Sequence, residues 1–205
     1  MEKKSERTRG RPPAFNREAA LDSAVQVFWK MGYEGASIGK LTNAMSINPP
    51  SLYAAFGNKQ GLFLEAIDRY VETVTSTQIA PLLEETTLRN AISGYLHQVV
   101  RCAATDHWPT GCLVVCVATE ASERDEIVRQ KVTKLAGDAE VFIAKRAAAP
   151  TNGSSEPRID DPKKFARLAV AAGQSLATRA RGGASAAELH ELADDFVSRL
   201  FDPSG

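Results

Sequence analysis

The sequence predicts an all-α fold in which an N-terminal three-helix unit is joined to a larger helical body. Apolar residues recur at spacings of three and four residues along most of the chain, which is the pattern of amphipathic helices. Capping residues precede several of these stripes, and no segment shows the alternation of a β-strand. The 205 residues, 43% hydrophobic and 24% charged, fit a globular protein of one or two domains.

Residues 1–14 form a basic arm in which lysine and arginine outnumber apolar side chains, so we expect the arm to be disordered when free. The segment Arg9-Gly10-Arg11-Pro12 is similar to the core of an AT-hook, an element that places arginine in narrow A·T-rich minor grooves. We predict that Arg9 and Arg11 contact a minor groove. The alternative is a solvated tail that only aids solubility.

The first predicted helix carries a continuous apolar stripe, which should close the core of the N-terminal unit. The stripe consists of Leu21, Ala24, Val25, Phe28 and Trp29. Gly32 should end this helix, because glycine is common just past a helix C-terminus.

Two short helices and a tight turn follow. Ser37 is a favoured cap for a helix that ends near Ser46, while Asn48 and Pro49 suit the cap and first position of a helix that runs to Phe56. About three residues should separate the two helices. This arrangement is typical of a helix-turn-helix unit, whose second helix enters the major groove of DNA.

The second helix of this unit should bury Leu52 and Phe56 and expose its other face. The outward and flanking residues are Pro50, Ser51, Tyr53 and Ala54. None of them is Arg, Lys, Asn or Gln, the side chains best suited to bidentate hydrogen bonds with base edges. Direct base recognition through hydrogen bonds should therefore be sparse.

Asn58 can cap the next helix, whose free amides and positive dipole end, beside Lys59, would suit a phosphate. With Gly32-Tyr33 and the segment from Ile38 to Phe56, this lysine completes a pattern that resembles the TetR family of bacterial transcriptional repressors over residues 15 to about 70. The family usually has glycine where this chain has Ser46, so a positive φ there would carry a cost.

The resemblance implies roles for particular residues. The residues expected to contact phosphates are Ser37, Asn48, Tyr53 and Lys59, and Lys40 is added as a further DNA contact. The residues expected to face the bases are Pro49, Pro50, Ser51 and Ala54. The resemblance also implies a repressor that is released from a palindromic operator by a small-molecule effector.

Charge is unevenly distributed along the chain, although the formal net charge is zero. Residues 1–60 contain nine Lys/Arg and five Asp/Glu, which leaves sixteen and twenty for residues 61–205. The basic excess therefore accompanies the predicted DNA-binding domain, residues 15–58, and its arm. We find no apolar run long enough for a membrane span and no signal sequence, so we expect a cytoplasmic protein without a membrane partner.

Residues 59–205 are predicted to form a helical domain for effector binding and dimerisation. Its helices should span about 58–81, 88–103, 112–121, 123–147, 162–181 and 185–201, with Pro81 ending the first and a loop at 149–162. The helix at 162–181 is rich in alanine, which allows close helix packing. The resemblance implies that the last two helices form a homodimer; the alternative is that they pack only on their own body.

The body offers three cysteines and several aromatic residues as candidate sensors. A cavity for an apolar effector is predicted among Tyr95, His97, Trp108, Cys112, Cys116 and Phe142. Cys112 and Cys116 share a helix face and could instead sense oxidants or electrophiles, or bind a metal with His107, but their neighbours are apolar, which favours core packing.

An enzyme that uses Cys112 and His107 is the competing class of function. Only their closeness in sequence supports it, because the chain contains no nucleophile elbow and no phosphate-binding loop. No cofactor and no metal site are predicted.

Overall fold

The computed structural model describes residues 16–105, 109–149 and 158–202, and all regular structure in these ranges is helical. The N-terminal unit contains α1 (Arg17–Gly35), α2 (Ile38–Ala44), α3 (Pro49–Phe56) and the start of α4 (Lys59–Tyr70). A π-helical segment (Val71–Thr75), α5 (Ser76–Glu84) and α6 (Leu88–Ala103) follow. A second π-helical segment (Leu113–Ala118), α7 (Thr119–Ala121), α8 (Glu126–Ala148), α9 (Pro162–Arg181) and α10 (Ala186–Phe201) complete these ranges. The predicted all-α fold is confirmed.

The core of the N-terminal unit is aromatic. Phe28 and Trp29 of α1 and Phe63 of α4 are fully buried. The Phe63 ring centroid lies 4.8 Å from those of both Phe28 and Tyr33, and Trp29 meets Tyr70 edge-on at 4.9 Å. Gly32, with φ 74° and ψ 170°, interrupts α1 at the predicted position and turns the chain so that Tyr33 reaches this core.

The turn between α2 and α3 contains four residues, 45–48, one more than predicted. Ser46 has φ 54°, the only positive φ of a non-glycine residue in the described part of the chain. Backbone hydrogen bonds hold the turn: the Ser46 amide donates to the Asn43 carbonyl (3.2 Å) and the Ile47 amide to the Thr42 carbonyl (3.0 Å). The left-handed conformation expected at Ser46 is therefore present.

We expect Ser46→Gly to stabilise the protein by roughly 0.5–1 kcal/mol. Relief of left-handed strain, about 1–2 kcal/mol, should exceed the additional chain entropy that glycine loses on folding, about 0.5–1 kcal/mol. Urea denaturation followed by circular dichroism would measure the change. Ser198→Gly, in the right-handed backbone of α10, should instead destabilise; an equal effect of the two substitutions would contradict the explanation.

The helix that leaves the N-terminal unit continues beyond Pro81, so the prediction that this proline ends it is wrong. α4, the first π-helical segment and α5 follow one another without a break, and Pro81 lies inside α5. A Cβ atom on Gly94 of α6 would lie 2.6 Å from the Pro81 Cβ. The close packing of the proline on glycine offsets the helical hydrogen bond that proline removes.

The body is built from α6, α8, α9 and α10, and the second π-helical segment packs against α8 and α9 of the body and against α1 and α4. α8 packs on α9, and α6 packs on α5, α9 and α10. The helix predicted at 112–121 is mainly π-helical. Only part of its surface is buried, because Val114 and Val115 are half-exposed. α8 begins at Glu126 rather than near 123, because the Asp125 side chain accepts hydrogen bonds from the Ile127 and Val128 amides.

Side chains from the body contact the N-terminal unit at several points. The Gln60 amide at the start of α4 donates to Asp125 (2.5 Å), and Lys131 of α8 pairs with Asp68. The Arg181 guanidinium at the end of α9 donates to the carbonyls of Trp29 (3.1 Å) and Thr110 (3.2 Å). These contacts link the N-terminal unit to both α8 and α9.

Two histidines join α6 to α10, and we expect them to make stability sensitive to acid. His97 Nδ1 lies 2.6 Å from His190 Nδ1, and His97 Nε2 lies 2.9 Å from Asp194 Oδ1. Burial lowers the pKa of His190, as do the nearby charges of His97 and Arg101, against the opposing effect of Asp194. The folded state therefore resists protonation of His190, and the free energy of unfolding should fall as the pH drops below about 6.5, the ordinary histidine pKa.

The check is chemical denaturation between pH 7.5 and 5. His190→Gln removes the titrating group, so this variant should lose less stability over that interval than the unaltered protein. Parallel curves for the two proteins would contradict the prediction.

Candidate nucleic-acid interface

The recognition helix α3 is fixed by its cap and by its buried face. The Asn48 side chain accepts a hydrogen bond from the Ser51 amide (2.8 Å), and Pro49 and Pro50 occupy the first two helical positions. Leu52 and Phe56 are buried, as predicted. The opposite face is accessible to a partner, because Pro50, Tyr53 and Ala54 are exposed and Ser51 is half-buried, and Pro49 is exposed at the start of the helix.

The start of α4 lies against the end of α3. A Cβ atom on Gly61 would lie 2.3 Å from the Phe56 carbonyl oxygen, so only glycine permits this approach. The Asn58 side chain caps α4 by accepting from the Gly61 amide (2.7 Å), as its sequence position predicted. The positive end of the helix dipole thus lies beside the recognition helix, where it would favour an anion.

Tyr33 positions Lys59 at the start of α4. The Lys59 Nζ lies 4.4 Å from the centroid of the Tyr33 ring, a cation–π contact. Burial raises the pKa of Tyr33, and the charges of Asp125 and Glu34 raise it further, so its hydroxyl stays neutral. The sequence motif includes both Gly32-Tyr33 and Lys59, but it did not predict the contact between the Tyr33 ring and the Lys59 ammonium group.

The start of α2 contributes the remaining described candidates. The Ser37 hydroxyl accepts a hydrogen bond from the Lys40 amide (3.3 Å), which confirms its role as a cap. Both side chains are exposed, and the Lys40 Nζ donates to the Gly35 carbonyl (3.0 Å). Arg9 and Arg11 lie outside the described residues.

Comparisons with known proteins agree with this geometry. Residues 20–66 match the model for bacterial regulatory proteins of the tetR family. The chain is 31% identical over 192 residues to the HTH-type transcriptional repressor ComR of Escherichia coli (strain K12), an alignment that covers 91% of this chain and 90% of ComR. The chain belongs to the TetR family. It is a DNA-binding transcriptional regulator.

Two further relatives of this TetR-family chain are a repressor and a regulator whose structure contains operator DNA. The HTH-type transcriptional repressor BdcR of Escherichia coli (strain K12) is 34% identical over 113 residues, which are 55% of this chain and 57% of BdcR. The structure of the TetR-family regulator CifR, complexed with 26-base-pair operator DNA, matches with a TM-score of 0.84 at 32% identity. That match covers 91% of this chain and 98% of the CifR chain.

In the body of this TetR-family protein, Tyr95 and Cys112 come together, but not with all the other predicted pocket residues. Burial raises the pKa of Tyr95 to about 12, with a further contribution from Cys112. A Cβ atom on Gly173 would lie 2.6 Å from the Tyr95 hydroxyl, so glycine makes room for this ring on α9. His97 instead contacts His190 on α10, and Trp108 lies outside the described residues.

Two buried polar side chains, one near Cys112 and one near Cys102, were not foreseen from the sequence. Tyr70 is fully buried, and its hydroxyl lies close to the Cys112 thiol. Gln78 of α5 is buried as well and lies close to Cys102. Both residues occupy inward positions of apolar stripes, and that position in sequence is the only signal that could have indicated them.

The thiols are poorly suited to nucleophilic chemistry. Burial raises the pKa of Cys112 and of Cys102, so both remain protonated at neutral pH. Cys116 is half-buried, and its sulfur lies 3.8 Å from the Ala177 carbonyl oxygen. His107, the partner required by the enzyme hypothesis and by a metal site, lies outside the described residues. Among the residues described, no group of His, Cys, Asp and Glu side chains is arranged to bind a metal ion.

Phe142 of α8, a further predicted pocket residue, is half-buried and packs against the core.

None of the helices in the described ranges has the length and hydropathy needed to cross a membrane.

Proposed function

We propose that this regulator is a repressor that binds a palindromic operator as a homodimer and is released from it by a small-molecule effector. The observation that carries the proposal is the accessible outer face of α3 beside the lysine at the start of α4. An exposed helix face flanked by a cation and a helix N-terminus suits the major groove and the phosphates along its edge. The names of ComR and BdcR, both transcriptional repressors, support repression rather than activation.

The proposed DNA contacts fall into three groups. Phosphates are contacted by Ser37, Lys40, Asn48, Tyr53 and Lys59. Base edges are faced by Pro49, Pro50, Ser51 and Ala54. The minor groove beside the operator is entered by Arg9 and Arg11. The side-chain oxygen of Asn48 already caps α3. The side-chain amide nitrogen (Nδ2) therefore remains to donate to a phosphate.

The proposed homodimer forms through α9 and α10. Leu168 on α9 is 52% exposed, although it is a large apolar side chain in a well-packed helix. Leu192, Phe196 and Leu200 of α10, spaced by four residues, are only half-buried. Two such helices from each subunit would bury these side chains in a four-helix interface.

The proposed effector site lies in the body, near Tyr95 and Cys112. The surrounding side chains are apolar or neutral, so an uncharged effector with a few polar atoms fits them best. Cys116 and Phe142 lie on elements that pack around the same core, and His97 and Trp108 remain predicted members. Effector binding there would change the packing of α5 on α6 and, because α4 and α5 belong to one continuous helical stretch, the position of the recognition helix.

Gel-shift titration with the DNA upstream of the gene for this protein tests DNA binding. A regulator should show a steep fall of affinity with salt, because each neutralised phosphate releases counterions. Lys59→Ala should weaken binding and reduce the magnitude of the log–log salt slope by about 1 per subunit. Lys145→Ala, at an exposed position of α8, should leave the slope unchanged. Equal slopes for both variants would refute the role of Lys59, and salt-insensitive binding would refute the function.

A further inference from the structure

The start of the recognition helix lacks the hydrogen-bond donors that helix N-termini normally present. Pro49 and Pro50 have no amide hydrogen. The Ser51 amide donates to the Asn48 side chain (2.8 Å), and the Leu52 amide donates to the Asn48 carbonyl (3.1 Å). All four backbone positions from 49 to 52 are therefore unable to donate to a base edge or a phosphate.

The outward side chains of α3 add little polarity to this face. Pro50 and Ala54 are exposed and present only hydrocarbon, while Ser51 carries a single hydroxyl and is half-buried. Tyr53, 48% exposed, places its hydroxyl at the end of a long ring. A guanine in the major groove presents two acceptors, and an adenine an acceptor and a donor, and neither is matched by methylene and methyl groups.

We propose that Pro50 and Ala54 recognise the C5-methyl groups of thymines in each operator half-site, a role that rests on the proposed operator binding. The thymine methyl is the one apolar group that the bases present in the major groove. Residues 50 and 54 lie one helical turn apart on one face, about 6 Å along the axis. This distance corresponds to about two base-pair steps of roughly 3.4 Å, so the two thymines lie at most about two steps apart.

The test separates this recognition from the A·T preference of the arm. Arg9 and Arg11 are predicted to bind the minor groove, whereas the methyl groups lie in the major groove. Replacing thymine by deoxyuridine removes the methyl and leaves the minor groove edge of the base pair unchanged. Loss of affinity on this replacement therefore reports on the major groove alone.

Operator duplexes would be selected from random DNA with the full-length protein and then synthesised with deoxyuridine at single thymine positions. We expect positions in each half-site at which the replacement weakens binding roughly fourfold per methyl removed. Replacements between the half-sites should have no effect. Selected duplexes that bind equally well with all thymines replaced would overturn the proposal.

Variants of the protein identify the side chains involved. For each thymine position we compare the affinity for the thymine duplex with the affinity for the deoxyuridine duplex. In Ala54→Gly this ratio should fall to near one at a single position in each half-site. In Pro50→Ala the ratio should fall to near one at the other methyl-dependent position of the half-site. Lys145→Ala, at an exposed position of α8 outside the proposed DNA interface, should retain both ratios. Because the ratio compares two duplexes with one protein, a general loss of helix stability cancels.

Failure of this inference can be distinguished from failure of the proposed function. If no duplex is enriched, the protein is not an operator-binding regulator under these conditions and both proposals fall. If a two-fold symmetric duplex is enriched but has no methyl-dependent positions, or if Ala54→Gly and Pro50→Ala retain the ratios, operator binding stands and methyl recognition is refuted.

Discussion

Replacing Phe63 with alanine should lower the free energy of unfolding by about 3–5 kcal/mol and remove operator binding with it. The Phe63 side chain is fully buried, and its ring contacts the rings of Phe28 and Tyr33 at centroid distances of 4.8 Å. The substitution would leave a cavity between α1 and α4. It would also free Tyr33, whose ring holds Lys59 over the proposed phosphate site.

Denaturant unfolding and gel shifts on the same preparations would measure both losses. Phe142→Ala provides the matched control, because the same atoms are removed from a half-buried position on α8 and should cost less stability. Phe63→Leu should recover part of the lost stability, since it refills part of the cavity. A Phe63→Ala protein as stable as Phe142→Ala would show that the aromatic cluster does not hold the N-terminal unit together.

The features that sequence predicted well are local ones. Ser37, Asn48 and Asn58 each cap the helix that follows them, and each accepts an amide hydrogen bond from the residue three positions later. Such bonds depend on the identity of one side chain and the conformation of its own turn. The burial of Leu52 and Phe56 followed from helical periodicity for the same reason.

The features that sequence did not predict depend on which helices meet. Pro81 remains inside α5 because Gly94 of α6 accommodates it, and no local pattern around residue 81 contains this information. The contact between His97 and His190 likewise joins residues 93 positions apart. His97 was expected beside Tyr95, although residues two positions apart on a helix point in nearly opposite directions.

The candidate DNA interface could be predicted more fully than the effector site. Recognition residues occupy one short segment, so spacing alone determines which of them face outward. The group around Cys112 draws Tyr70 and Tyr95 from two different helices, and its composition depends on their packing. The proposed recognition of thymine methyl groups rests on both kinds of information: the outward side chains were predicted from sequence, whereas the structure shows that the Ser51 and Leu52 amides are already hydrogen-bonded.

Replacing Leu168 with arginine should convert the proposed dimer into a monomer and weaken operator binding by about two to four orders of magnitude. In a two-fold symmetric interface the substitution occurs twice, and each new charge would lie near the exposed Lys164 and Arg167 of α9. A monomer can bind only one half-site, and it loses the high effective concentration that a linked second recognition helix provides.

Light scattering after size exclusion would give the mass, and fluorescence anisotropy with operator duplex the affinity. Leu83→Arg is the matched control, because Leu83 of α5 is 69% exposed and lies outside the proposed interface. This variant carries the same added charge, so any nonspecific gain in DNA affinity appears in both proteins. If Leu168→Arg remained a dimer with unchanged affinity, the exposed leucine would lie outside the interface and α9 would not be the dimerisation helix. A monomer that still bound the operator at full affinity would instead show that one recognition helix suffices, which the small and donor-poor face of α3 argues against.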